Sequence, residues 1–172
     1  MKKLLFFSMM CLMAAVTITS CDKDSTGTGT RTLSGYVDLG LPSGTKWKTT
    51  NEINTNDTCD FFTYDEAKEK FGSGLPTKEQ LEELIADCQW TWDVAKKGYK
   101  VVGTNGKSIF LPAAGYRGCK GRVESVGSYG GYWSSTPSAS DYVWGIFFYS
   151  DEVDMGGGIT LCEWRSVRLV KK

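Results

Sequence analysis

Val143-Trp144-Gly145-Ile146-Phe147-Phe148-Tyr149-Ser150 is the stretch on which the reading of the fold turns. Trp144, Ile146 and Phe148 alternate with Gly145, Phe147 and Tyr149, the period-two pattern of a strand whose side chains point to opposite faces. One set must face a core, and Trp144, Ile146 and Phe148 are the natural choice. Phe147 and Tyr149 then project from the other face beside a bare Gly145. Exposed aromatics next to a glycine gap make a binding surface. The alternative is a second buried face, covered by the long glycine-rich segment from Ala113 to Gly131.

Outward from this strand the chain breaks into short elements. Tyr132-Trp133-Ser134-Ser135 reads as a strand entering a turn at Pro137, and Ser166-Val167-Arg168-Leu169-Val170 as an alternating closing strand. Thr104-Asn105-Gly106-Lys107 lies between Tyr99–Val102 and Ser108–Leu111, and Asn-Gly between apolar runs signals a hairpin. Thr63-Tyr64-Asp65-Glu66 has the form of a capping box and starts a helix that stops near Gly72. Thr77-Lys78-Glu79-Gln80 repeats that logic ahead of a stronger helix. Leu81, Leu84, Ile85 and Cys88 share one face of it, leaving Glu82 and Glu83 toward water. Gly35 to Gly44 is an extended piece ending in a Pro-Ser-Gly turn, with Trp47 a core residue behind it.

The first twenty residues have their own grammar. Lys2 and Lys3 precede an apolar run from Leu4 to Ile18, too short for a comfortable membrane span and suited to a signal peptide. Ile18-Thr19-Ser20-Cys21 resembles a bacterial lipobox, so cleavage is expected before Cys21 and lipid on that cysteine. Residues 1–20 are thus the signal peptide, 21–33 a lipidated flexible tether, and 34–172 a single domain. The tether reaches roughly 17–20 Å. The resulting location is the outer membrane or cell surface, held by lipid.

Cleavage leaves 18 basic and 20 acidic residues, which argues against a nucleic-acid partner. Histidine is absent, so no Ser-His-Asp or Cys-His pair and no His-ligated zinc can form. The Gly27–Gly29 and Gly156–Gly158 segments lack the spacing of a phosphate loop. No cofactor and no metal are expected. Asp151, Glu152 and Asp154 read as acidic turn residues rather than calcium ligands. Cys59, Cys88, Cys119 and Cys162 permit two disulfides in three connectivities, or remain buried thiols.

Five segments together resemble a known family: Tyr36 to Gly44, Leu75 to Glu79, Ser108 to Arg117, Tyr132 to Thr136, and Ser166 to Arg168. They look like the Fibrobacter succinogenes major paralogous domain, common in exported proteins of the Bacteroidetes. The resemblance runs from about Tyr36 to Val170. It implies an α+β, C-type-lectin-like fold with two helices and small twisted antiparallel sheets, rich in loops, its two ends paired. Where family members often carry a cysteine after the Trp47 position, this chain has Thr49-Thr50-Asn51. The lectin calcium motifs Glu-Pro-Asn and Trp-Asn-Asp are missing.

Some lipoproteins of this family are targets of diversity-generating retroelements, and Tyr132 to Val170 resembles such a variable region. Asp141, Tyr142, Gly145, Phe147, Tyr149, Asp151, Asp154 and Gly156 to Gly158 fall at its variable positions. All are reachable from an Asn codon by changing its two adenines, as is Cys162, which can then be a product of randomisation. The resemblance therefore implies a surface binding module without catalysis. Asp141, Tyr142, Gly145, Phe147, Tyr149, Asp151, Asp154, Gly156, Gly157 and Gly158 would contact an extracellular protein or glycan. The alternatives are a structural or adhesin subunit, and a thiol-dependent enzyme related to formylglycine-generating folds.

Overall fold

The computed structural model describes residues 35–172; the expected signal peptide (1–20), the expected lipidation site Cys21 and the expected tether (21–33) lie outside the described residues. Within them the turn at Leu41–Gly44 forms as the Pro-Ser-Gly motif indicates. The Gly44 N–H donates to the Leu41 carbonyl at 2.9 Å, and Gly44 takes φ 71°, a conformation glycine adopts without cost. The turn folds β2 (Lys46–Lys48) back antiparallel to β1 (Tyr36–Asp38), burying Trp47. The last strand, β11 (Val170–Lys171), pairs with the other side of β2, so both ends of the described chain meet in one three-stranded sheet.

Both capping boxes close. Thr63 accepts from the Glu66 N–H at 3.2 Å and Glu66 accepts from the Thr63 N–H at 3.0 Å, starting α1 (Tyr64–Phe71). Gly72, at φ 48°, ends it. Thr77 and Gln80 do the same for α2 (Lys78–Asp87), which buries Leu81 and Leu84. Two details of α2 differ from the sequence reading. Cys88 is its C-cap, already extended at φ −109° and ψ 153°, because the chain turns there into a strand. Glu83 does not simply face water; its carboxylate accepts the Ser43 N–H and hydroxyl at 2.7 and 2.6 Å, tying α2 to the first turn.

The Asn-Gly hairpin is β4 (Gly98–Val102) against β5 (Ser108–Pro112), with Gly106 at φ 79° in the connection. A further strand, β3 (Gln89–Asp93), pairs with the outer edge of β4. The glycine-rich segment is not all loop, since β6 (Tyr116–Arg117) and β7 (Val123–Glu124) pair within it.

The remaining three-stranded sheet has the order β10 (Val153–Thr160), β9 (Tyr142–Phe148), β8 (Gly130–Ala139). β8 does not stop at Pro137. It runs past it through shifts of register between Trp133 and Pro137 and again before Ala139, irregularities that let a residue without an N–H sit in a strand. This sheet separates two cores. Tyr132, Ile146 and Phe148 face one with Leu81, Leu84, Trp47, Tyr99 and Leu111; Trp133, Val143 and Ile159 face another with Phe62, Tyr64, Leu75 and Val167. The molecule is mixed α+β, mostly β, with two α-helices and several small antiparallel sheets among the described residues.

The closing segment departs from alternation. Arg165, Ser166, Val167 and Arg168 are all buried, and only Val170–Lys171 is strand. Isolated bridges from Arg165 to Phe62 and from Ser166 to Tyr132 thread this segment between elements instead of along one sheet face.

Candidate functional site

Strand alternation in β9 holds for Ile146 and Phe148, which are 1% and 0% exposed. Trp144 shares their parity but is only partly buried. Its ring lies against Gly157, where a Cβ would stand 2.8 Å from it, and under the Lys78 ammonium at 4.4 Å. The opposite parity splits along its length. Val143 and Gly145 are buried, whereas Phe147 is half-buried and Tyr149 is 44% exposed. Gly145 is therefore not a surface gap. A Cβ there would come within 2.5 Å of both the Tyr132 carbonyl oxygen and Ile159 Cδ1, so the close approach of strands requires glycine.

At the open end of this face the side chains enclose a concavity of about 310 Å³ lined by Tyr129, Phe147, Tyr149, Gly156, Gly158, Ile159 and Arg165. Phe147 stacks on Tyr129 with centroids 6.3 Å apart and planes 13° apart; Tyr149 meets Tyr129 edge-on at 5.2 Å. Arg165, 6% exposed, donates from Nη1 to the Tyr129 hydroxyl and from Nη2 to the Glu163 carboxylate. Its guanidinium lies 5.4 Å from the Tyr129 ring centre and 5.1 Å from that of Tyr116, while its Nε is buried with no hydrogen-bond partner among the described residues. Burial pushes the Tyr129 phenol above its ordinary pKa although Arg165 pulls it down, so it is a neutral hydroxyl at physiological pH.

The sequence-derived residues are thus partly assembled. Phe147, Tyr149, Gly156 and Gly158 share the concavity. Asp154 pairs across the ladder with Phe147, and Asp151 is exposed in the turn that the Tyr149 N–H closes onto the Glu152 carbonyl at 2.9 Å. Tyr142 and Asp141 are not part of it. They sit at the far end of β9, where Tyr142 pairs with Thr160, about 20 Å of strand from Tyr149. Gly157 is turned away under Trp144, its carbonyl accepting from the Ser138 hydroxyl. Tyr129, Ile159 and Arg165 escaped the sequence reading. The signal for Arg165 is that no other basic residue follows Arg122 until it.

No protein-family model, curated protein or solved structure matches the chain.

Cys162 bonds to Cys119, joining the β6–β7 ribbon to the segment after β10. Cys162 thus has a structural partner in the chain. Cys88 is a free thiol pushed up to about 11, first by burial and then by Asp87 and Glu83. Among the described residues no group of three or more Cys, Asp or Glu could hold a metal ion, and no helix is long and apolar enough to cross a membrane. A larger hollow, about 380 Å³, lies beside α1 between Asn54, Phe62, Glu66 and Lys70. Three of its polar groups have structural tasks: Glu66 closes the capping box, the Asn54 amide donates to the Phe61 carbonyl at 2.6 Å, and Lys70 covers the Phe62 ring.

Proposed function

We propose that this chain is a surface lipoprotein, anchored through lipid on Cys21, whose C-type-lectin-like domain of the Fibrobacter succinogenes major paralogous type binds an extracellular ligand without catalysis. One observation carries the binding part: four of the residues picked out by sequence, Phe147, Tyr149, Gly156 and Gly158, line a single concavity with the buried Arg165 at its side. Two aromatic rings at its mouth and a glycine wall offer apolar contact at low conformational cost. The concavity is at the lower end of the size of small-ligand sites, suited to one side chain or one sugar ring.

The anchor is tested by feeding cells an alkyne-tagged fatty acid and comparing the chain with Cys21→Ser. Label on the wild type and none on the variant supports the lipoprotein reading, and equal labelling removes it. The site is tested with Phe147→Ala/Tyr149→Ala. Tyr149 is exposed and Phe147 half-buried, so the variant should keep its fold and lose adhesion of displaying cells to extracellular material. A thermal midpoint lowered as far as by a core truncation would make these rings structural.

A further inference from the structure

The strands that carry the concavity are one-sided in charge. From Val123 to Trp164, which spans β8, β9 and β10, there is no Lys or Arg, whereas Glu124, Asp141, Asp151, Glu152, Asp154 and Glu163 are all present. The chain as a whole balances 20 basic against 20 acidic residues, so this sheet departs from the rest of the molecule. The one cation lining the concavity, Arg165, is paired to Glu163 and lies against the rings of Tyr116 and Tyr129. Asp154 is exposed and stands directly across the ladder from Phe147, and directly opposed residues point to the same face. Its carboxylate therefore belongs to the rim, and Asp151 is exposed in the turn just beyond Tyr149.

We propose that the ligand is a protein segment that places a lysine or arginine side chain into this concavity, its charge between the Phe147 and Tyr149 rings and the Asp154 carboxylate. This rests on the binding reading above and narrows it to a cationic partner. The chemistry is complementary at each part of such a side chain. The aliphatic stem packs on Ile159 and the wall formed by Gly156 and Gly158, as long charged side chains pack their stems while keeping the head wet. The head meets aromatic faces, which attract cations, and the Asp154 carboxylate, whose Oδ1 accepts the Met155 N–H at 2.7 Å and which has no cationic partner among the described residues. A uronic acid, a sialylated or sulfated glycan, or a phosphate would instead approach carboxylates with Arg165 already occupied by Glu163.

The test uses the full chain in detergent with fluorine-labelled phenylalanine, the Phe147 resonance being assigned by its loss in Phe147→Leu. The probes are Nα-acetyl-lysine N-methylamide, its Nε-acetylated neutral analogue, methyl β-glucoside and glucuronate. The expected result is a saturable shift of Phe147 by the lysine amide alone. That affinity should fall roughly threefold or more in Asp154→Asn, a loss typical of an exposed cation site. It should fall again between about 50 and about 500 mM salt. If the glucoside or glucuronate moves Phe147 as strongly as the lysine amide, the cationic inference is wrong while the binding site stands. If no probe moves Phe147, the cationic inference is also wrong, and the adhesion and thermal midpoint of Phe147→Ala/Tyr149→Ala then decide the binding reading separately.

Discussion

Arg168 donates two hydrogen bonds to one acceptor: its Nε and Nη2 reach Oδ1 of Asn51 at 2.9 and 2.6 Å across 117 residues of chain. The same guanidinium donates to the carbonyls of Lys48 and Phe110, both at 2.8 Å, and is 2% exposed. It joins the end of β2 and the segment after it, the middle of β5 and the closing segment. Among the described residues no carboxylate hydrogen-bonds to it; burial lowers its pKa, while Tyr132 and the more distant Glu52 carboxylate work the other way. Asn51 lies just after β2, in the stretch Thr49-Thr50-Asn51, and is the side-chain partner of that arginine.

Arg168→Met should accordingly be among the most damaging single substitutions in the domain. It leaves the Lys48 and Phe110 carbonyls and the Asn51 side chain without their donor in a dry site, a loss of about 3–5 kcal/mol. Arg168→Lys should recover little, because an ammonium cannot reproduce the planar fork. Urea unfolding of both variants checks this; a midpoint near the wild type for Arg168→Met would show the network to be dispensable.

Tyr132 gives a pH signature. Its hydroxyl is fully buried, donating to the Pro112 carbonyl at 2.8 Å, and burial pushes its pKa up to about 12 against an ordinary 10.0. A folded pKa above the unfolded one means stability that is complete below pH 10 and lost as pH climbs through 12, about 3 kcal/mol for two units. Tyr64, Tyr99, Tyr116 and Tyr129 are raised too and contribute a common slope. The measurement is therefore the difference between wild type and Tyr132→Phe. Unfolding free energy of the variant should fall less steeply above pH 10, and parallel curves would deny Tyr132 this role.

The elements legible in the sequence are those coded by neighbouring residues. Thr63 with Glu66, Thr77 with Gln80, Asn105-Gly106 and Pro42-Ser43-Gly44 each specify local geometry, and each forms. What escaped depends on partners far along the chain. β3 has no local signal stronger than its pairing with β4, and Pro137 stays in β8 because bulges accommodate it. Arg168 looks like the polar half of an alternating strand, yet it is buried against Asn51, and Arg165 just before that strand is buried against Tyr129, contacts that no periodicity encodes. The concavity was half legible for the same reason. Phe147 and Tyr149 announce themselves by alternation, while Tyr129 comes from a segment that reads as loop.

The Cys119–Cys162 disulfide closes a sequence separation of 43. Loop-closure entropy gives such a link about 4 kcal/mol of stabilisation. Peptide mapping without reduction should recover the Cys119 and Cys162 peptides joined, and Cys119→Ser/Cys162→Ser should melt several degrees lower. Recovery of both cysteines alkylated in the native, unreduced protein would refute the pairing.

A thiol-dependent enzyme needs a thiolate near neutral pH. Cys88, at about 11, holds only about one thiolate in a thousand at pH 8. Native protein should therefore alkylate slowly at Cys88, and unfolding should speed the reaction many-fold. Fast native labelling at that residue would reopen the catalytic alternative.

The proposal of a diversified C-terminal region makes a sharper demand, because randomised positions must accept many side chains without loss of the fold. The glycines among the candidate positions are not equivalent in this respect. A Cβ at Gly158 meets nothing within 4 Å, and one at Gly156 meets only the Phe147 ring at 3.1 Å and Ile159 at 3.9 Å. At Gly145 it strikes the Tyr132 carbonyl, a backbone atom that cannot step aside without opening the β8–β9 ladder. Gly158→Asp should thus leave the thermal midpoint within about a degree or two, Gly156→Asp should lower it modestly, and Gly145→Asp should cost on the order of 3 kcal/mol or more. If Gly145→Asp melts with the wild type, the strands separate more readily than their packing implies and Gly145 rejoins the tolerant set. If Gly158→Asp unfolds the domain, the concavity's wall is structural and randomisation there cannot be sustained.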